Sequence, residues 1–145
     1  MKITGTLDIK TECDAYKMIV NHGDIFLMKQ AIDFFTNDDY EYIFVKENDK
    51  TVGTSGIKIS THVIVNTVIL PEFRRKGFAE EINRYFINKY KYCFAYVRED
   101  NKPMLNLLFN KFNAVIVKHQ TRSVDGKPLF KLLMIDRKYK NAVII

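Results

Sequence analysis

Between Val63 and Ala79 the chain reads VIVNTVIL and then PEFRRKGFA. The first run is apolar except for Asn66 and Thr67, and it reads as a buried strand. Pro71 has no N–H to give a ladder and ends that strand. Arg74, Arg75 and Lys76 then crowd a turn that closes on Gly77 and the small Ala79, and a helical pattern continues to about Tyr90. A strand, a basic glycine-bearing turn and a helix in this order aim backbone N–H groups and a helix N-terminus at an anion. Gly77 has no Cβ, so a phosphate can come close to the backbone. A basic turn with one glycine is also an ordinary surface feature, and the rest of the chain has to decide between the two readings.

At 145 residues the chain is expected to be one domain, 1–145, with a sizeable core. A hydrophobic content of 47% and an aromatic content of 13% exclude a disordered chain. No long uncharged apolar run is present, so no membrane contact is expected. The start, MKITGTLDIKTECD, lacks the apolar core of a signal peptide, and a cytoplasmic location is expected. Cys13 and Cys93 have no metal-type spacing and are expected to be reduced and structural, with no metal bound. A formal net charge of +6 favours phosphate-bearing ligands, acidic partners or nucleic acid. The basic residues are scattered except at Arg74–Lys76 and Arg137–Lys140, which argues against a dedicated nucleic-acid surface.

Taken in order, Lys2 to Ile9 alternates as a half-buried first strand. Thr11 and Asp14 cap a helix to about Asn21; Gly23 breaks it, and Asp24 caps a second helix to about Phe35. Tyr40 to Lys46 and Thr51 to Ser60 are strands around an Asn48-Asp49-Lys50 turn, and Gly53 and Gly56 mark a bulge or a close backbone approach. In the helix from Phe78 to Tyr90, one stripe holds Phe78, Ala79, Ile82, Tyr85, Phe86 and Tyr90. Tyr92 to Val97 is a buried strand, Pro103 suits the first turn of a helix through Phe112, and Ala114–Lys118 and Leu129–Ile135 are strands joined near Asp125-Gly126. Ala142 to Ile145 is an apolar end that can pair with an edge strand, join a homodimer or fray.

The run Arg74-x-x-Gly77-x-Ala79, after a strand and a proline, resembles the pyrophosphate loop of the GNAT family of N-acetyltransferases: Gln or Arg, two residues, Gly, one residue, Gly or Ala. The element order β-α-α-β-β-β-α-β-α-β-β resembles the same family over most of the chain. The resemblance implies an α/β (α+β) GNAT-type acyl-CoA N-acyltransferase fold, with a mixed sheet of about seven strands flanked by about four helices. It implies acetyl-CoA as co-substrate and transfer of its acetyl group to an amine by direct attack in a ternary complex. The expected acceptor is an amine on a small molecule or a protein; the two N-terminal helices are walls of its site or simply core, and both can hold.

Residue by residue, the resemblance places the pantetheine arm against Val68, Ile69 and Leu70, in a gap between that strand and Tyr92–Val97. It gives the phosphates to Arg74, Arg75, Lys76, Gly77, Phe78 and Ala79, with Arg75 and Lys76 also facing the ribose phosphate. VREDNKPM resembles the stretch where the family reaches the cofactor with an asparagine, which makes Asn101 a candidate and Met104 its neighbour on the channel. Asn101 is equally suited to capping the following helix.

Two departures from the family stand out. The tyrosine that many members use to protonate the leaving thiolate is matched by Leu108 or Phe109. The Gly-Phe after that helix is replaced by Phe112-Asn113 or Asn113-Ala114, and Asn113 can take a left-handed conformation as glycine does. Acyl transfer also needs a polarised carbonyl, for which a backbone N–H near Ile69 or Leu70 is the candidate donor. It needs a base, and the Val63–Leu70 strand offers no carboxylate. His62 is the candidate catalytic residue and His119 the second; a lone histidine at a strand end is more often surface or hydrogen-bonded structure than catalyst. Tyr92 and Tyr96 offer hydroxyls or simply pack. The alternatives are a non-catalytic acyl-CoA-binding or partner-binding protein on the same fold, and a basic nucleic-acid-binding module.

Overall fold

The computed structural model describes residues 2–4, 17–18, 21, 38–120 and 126–136. Alternating apolar positions there form seven strands: β1 (Lys2–Thr4), β2 (Tyr40–Glu47), β3 (Lys50–Lys58), β4 (Val63–Ile69), β5 (Tyr92–Arg98), β6 (Val115–Gln120) and β7 (Leu129–Ile135). They make one sheet in the order β1-β2-β3-β4-β5-β7-β6. β4 and β5 run parallel, and each of the other neighbouring pairs is antiparallel. Two helices are described in full, α1 (Phe78–Tyr90) between β4 and β5 and α2 (Lys102–Phe112) between β5 and β6.

Of the two N-terminal helices expected from the sequence, Lys17, Met18 and Asn21 are helical, and the second, 24–35, lies outside the described residues. Residues 5–9 of the first expected strand, Asp125 and the segment 137–145 lie outside them too. The β2–β3 turn has Asn48 and Asp49 at φ 50° and 64°, the mirror-image turn that follows the twist of a hairpin. Gly53 is a close approach: a Cβ there would stand 2.6 Å from Ile69 Cδ1 and 3.3 Å from the Val68 carbonyl.

The stripe of α1 is rotated from the expected one. Phe78, Ile82, Asn83, Phe86 and Ile87 are buried, whereas Ala79, Tyr85 and Tyr90 are half-buried. The sheet selects positions i, i+4, i+5, i+8 and i+9, and this draws in a polar residue, Asn83. Ile82 and Phe86 are fully buried against Ile43, Ile57 and Ile69 in the main core. Each contributes about 1.5–3 kcal/mol by leaving water. Asn113 ends α2 at φ 50°, ψ 40°, the left-handed geometry expected of it.

Candidate active site

The periodicity of β4 changes part-way along. Ile64 and Ile69 both join the core with α1, whereas Val63, Val65, Val68 and Leu70 pack with Met18 in a smaller cluster. Two residues five apart cannot share a face of a regular strand, so one extra residue lies between them. The register agrees: Gly56 pairs with Val65 and Thr54 with Val68, so Ser55 faces the two residues Asn66 and Thr67. This is a β-bulge. Asn66 takes φ 55° within it, and the Ser55 hydroxyl lies 2.7 Å from that of Thr67 and 3.5 Å from the Val65 carbonyl.

The bulge separates β4 from β5. The two strands pair at Val63 with Phe94 and at Ile64 with Ala95, and their ladder stops there. Beyond it lies a cavity of about 390 Å³ whose walls include Asn66, Thr67, Tyr96, Asn101, Met104 and Leu108. Asn101 lines this cavity, and its Oδ1 accepts from the Met104 N–H at 3.3 Å and caps α2.

Val68, Ile69 and Leu70 are not in the cavity wall. The Leu70 N–H donates to the Val52 carbonyl at 2.9 Å, which corrects its expected role as a carbonyl-polarising donor. Because Leu70 and Val52 form a hydrogen-bonded pair, the adjacent pair Ile69–Gly53 turns its polar groups outward. The Ile69 carbonyl accordingly accepts from Arg74 Nε at 2.9 Å on the side away from β3. The Ile69 N–H points the same way.

Past Ile69 the chain makes one 3-10 turn, Pro71–Phe73, and then an exposed basic bend. Arg75 at φ 62° and Gly77 at φ 87° are both left-handed. The first requires strain from an arginine; the second is natural for glycine. A Cβ on Gly77 would meet nothing within 4 Å. The glycine therefore serves the backbone angle, and the space above it is open. No side chain caps the N-terminus of α1, so its first N–H groups have no intrahelical partner. Arg74 braces the bend through Ile69 and does not extend from it. Lys76 and Lys50 bring their ammonium groups to 5.3 and 5.5 Å from the Phe73 ring centre. Phe78 is buried and Ala79 half-buried in the first turn of α1.

Neither His62 nor His119 lines the cavity. His62 sits at φ 59° in the turn before β4, with its ring 4.4 Å from that of Tyr92 and 5.2 Å from that of Tyr90. Its Nδ1 lies 3.0 Å from the Tyr92 carbonyl, which only accepts, so Nδ1 carries a proton. His119 is on the edge strand β6, beside Glu99 at 3.7 Å and the Phe130 ring. Of the two tyrosines expected on β5, Tyr96 lines the cavity and Tyr92 does not. Cys93 is buried in the core, and burial pushes its thiol up to about 12. Sequence reasoning missed Asn83, Tyr40 and Lys58, which also line the cavity. It noted Asn66 only as an interruption of an apolar run.

Residues 10–112 match the acetyltransferase (GNAT) family. The chain belongs to the GNAT family. By that membership it is an acyltransferase that uses acetyl-CoA. Among curated proteins no sequence matches it. Its fold is similar to that of the ribosomal-protein-S18-alanine N-acetyltransferase from Escherichia coli, with 14% identity, a TM-score of 0.77 and 92% of each chain covered. A mutant spermidine N-acetyltransferase from Vibrio cholerae gives 15% identity and a TM-score of 0.73 over 98% of this chain and 99% of the other. An aminoglycoside 6'-N-acetyltransferase complexed with coenzyme A gives 9% identity and a TM-score of 0.70 over 93% and 97%. At these identities the likeness speaks for the GNAT fold. No described helix is long and apolar enough to cross a membrane. No cluster of three His, Cys, Asp or Glu able to hold a metal ion occurs among the described residues.

Proposed function

We propose that residues 1–145 form one N-acetyltransferase domain that moves an acetyl group from acetyl-CoA to an amine nitrogen while both substrates are bound. The observation that carries this reading is the parting of β4 from β5 at a bulge, in front of a basic bend that leads into an uncapped helix N-terminus. A slot between strands suits an extended arm with amide groups, and the left-handed bend suits its diphosphate. Arg75, Lys76 and the amides from Gly77 to Ala79 hold the phosphates. Asn101 and Met104 line the arm, and the Ile69 N–H is the group of the β4 end that can polarise the thioester carbonyl.

The amine nitrogen attacks the carbonyl carbon, the C–N bond forms, and the C–S bond breaks. A lysine-type amine with pKa about 10.4 must first lose a proton. With His62 turned into its aromatic contacts, water is the route for that proton. The thiolate leaves with pKa about 8.5, so water can also protonate it where Leu108 or Phe109 stands in place of a tyrosine. Holding both substrates together can supply roughly 7 kcal/mol or more of the barrier without an acid–base side chain.

The test is thermal unfolding with and without acetyl-CoA, followed by thiol release with amines. Ligand at a hundred times its dissociation constant adds about 2.7 kcal/mol of stability. An unchanged melting temperature removes the reading. A shift without thiol release for any amine leaves an acyl-CoA-binding protein.

A further inference from the structure

The cavity has a second wall that the cofactor reading does not use. Besides Met104 and Leu108, it is lined by Tyr40, Val63 and Val65, which belong to the smaller cluster around Met18 on the other face of the sheet. Asn66 stands between the two walls. It is 1% exposed, and neither its Nδ2 nor its Oδ1 has a partner among the described residues. Folded interiors leave few such groups without a ligand, water or ion to meet them. Its left-handed backbone angle keeps it at the bulge.

Lys58 lines the same cavity, half-buried. Its ammonium makes no ion pair or hydrogen bond among the described residues. Arg98 adds a second cationic side chain to the wall, and no Asp or Glu lines the cavity among the described residues. Asp39, next to Tyr40, binds Ser60 with both carboxylate oxygens, one on its N–H at 2.9 Å and one on its hydroxyl. Lys58 pairs with Val63, so Asn66 lies three residues further along β4. At about 3.3 Å per residue that is roughly 10 Å of strand. A half-buried ammonium and a buried amide on one wall, where Lys58 and Arg98 are the charged residues among those described, disfavour a polyamine and attract an anion.

We propose that Lys58 and Asn66 form the acceptor subsite, and that the acceptor is an amine carrying a carboxylate or a phosphate. This rests on the acetyl-transfer reading above and deepens it. Lys58 holds the anionic group. Asn66 Oδ1 accepts a hydrogen bond from the amine N–H and turns the nitrogen lone pair toward the thioester carbon. The C–N bond then forms as the C–S bond breaks; the amine proton goes to water, and the thiolate takes one from water.

The experiment uses the full chain with saturating acetyl-CoA and measures thiol release for matched acceptors. The pairs are phosphoethanolamine with ethanolamine, glucosamine 6-phosphate with glucosamine, and glutamate with glutamine, with spermidine as the polycation. The anionic member of at least one pair should exceed its partner at least tenfold in kcat/KM. The phosphate pairs and the carboxylate pair tell the two anions apart. Lys58→Gln should raise KM for the anionic acceptor at least tenfold, and Lys58→Glu should reverse the order in favour of spermidine. Asn66→Ala should lower kcat more than it raises KM. In all three variants the thermal shift with acetyl-CoA reports that the fold and the cofactor site persist. A parent that prefers the neutral amines or spermidine overturns the inference. So does a Lys58→Glu variant with unchanged order, or an acetyl-CoA shift without thiol release from any anionic acceptor. Absence of the acetyl-CoA shift overturns the transferase reading itself.

Discussion

At its first two residues β4 is tied to everything around it, and within three more it is tied to much less. At the start, the Lys58 carbonyl accepts from the N–H groups of Thr61 and His62 at 3.3 and 2.8 Å. The His62 carbonyl accepts from Phe94 N–H at 2.8 Å, and its ring closes on Tyr90 and Tyr92. Glu41 holds both Lys89 and the Tyr90 hydroxyl. These contacts raise the pKa of Lys89 through its hydrogen bond to Glu41, and that of Tyr90 first by burial and then through Glu41. At the far end the ladder to β5 has stopped, the Asn66 amide has no partner among the described residues, and the first turn of α1 is uncapped. A chain that satisfies its polar groups at one end of a strand can do so at the other. The end where it does not is the end at which we place the ligand.

The largest expected effect breaks the open end. Gly77→Glu places a carboxylate in the open space above the bend, where diphosphate is to bind, and asks a side chain to take φ 87°. The angle itself costs about 1–2 kcal/mol. The charge repels the ligand. Acetyl-CoA stabilisation of about 2.7 kcal/mol at a hundredfold excess over the dissociation constant should vanish, while the variant still unfolds cooperatively. Thermal unfolding with and without acetyl-CoA reads both. A variant that keeps the parent's shift places the diphosphate elsewhere, and the contrast between the two ends then loses its meaning.

The next effect concerns the closed end. His62→Asn keeps a residue tolerant of left-handed geometry and removes the ring contacts and the bond to the Tyr92 carbonyl. One hydrogen bond and one aromatic pair together suggest a loss of about 1.5 kcal/mol in stability. Urea unfolding checks that value. The maximal rate of thiol release should stay within about twofold, since the ring does not reach the cavity. A fall of a hundredfold with unchanged stability would return His62 to the role of base.

The same contrast explains what could be read from the sequence. α1, the left-handed Asn113 and the hairpin at Asn48-Asp49 were legible because each depends on neighbours in the chain: apolar spacing, a cap, a turn pair. The basic bend was legible because Gly77 and three cations sit side by side. The β4 end was not. Which amide, Ile69 or Leu70, faces the gap depends on the register with Val52 and Gly53, set by a bulge opposite Ser55. Asn83 was hidden because the sheet chose the stripe of α1 that includes it. His62 stood at a strand end, as a base can, but its partners come from Tyr90 and Tyr92, thirty residues on.

The smallest effect sharpens the comparison from inside β5. Cys93 follows Tyr92 on the closed side and is fully buried, with its thiol raised from 9.0 to about 12 by burial. A raised thiol pKa means the folded chain keeps a proton that the unfolded chain gives up. That contribution is intact below pH 9 and declines as pH rises toward 12. By pH 10 the loss is about 1 kcal/mol. Cys93→Ala leaves a small cavity and lowers stability at every pH, so the slope is the measurement and not the level. Between pH 8 and 10 the urea midpoint of the parent should fall more steeply than that of the variant. Equal slopes would mean that water reaches the thiol, and that the closed end of the β4–β5 pair is less closed than its hydrogen bonds suggest.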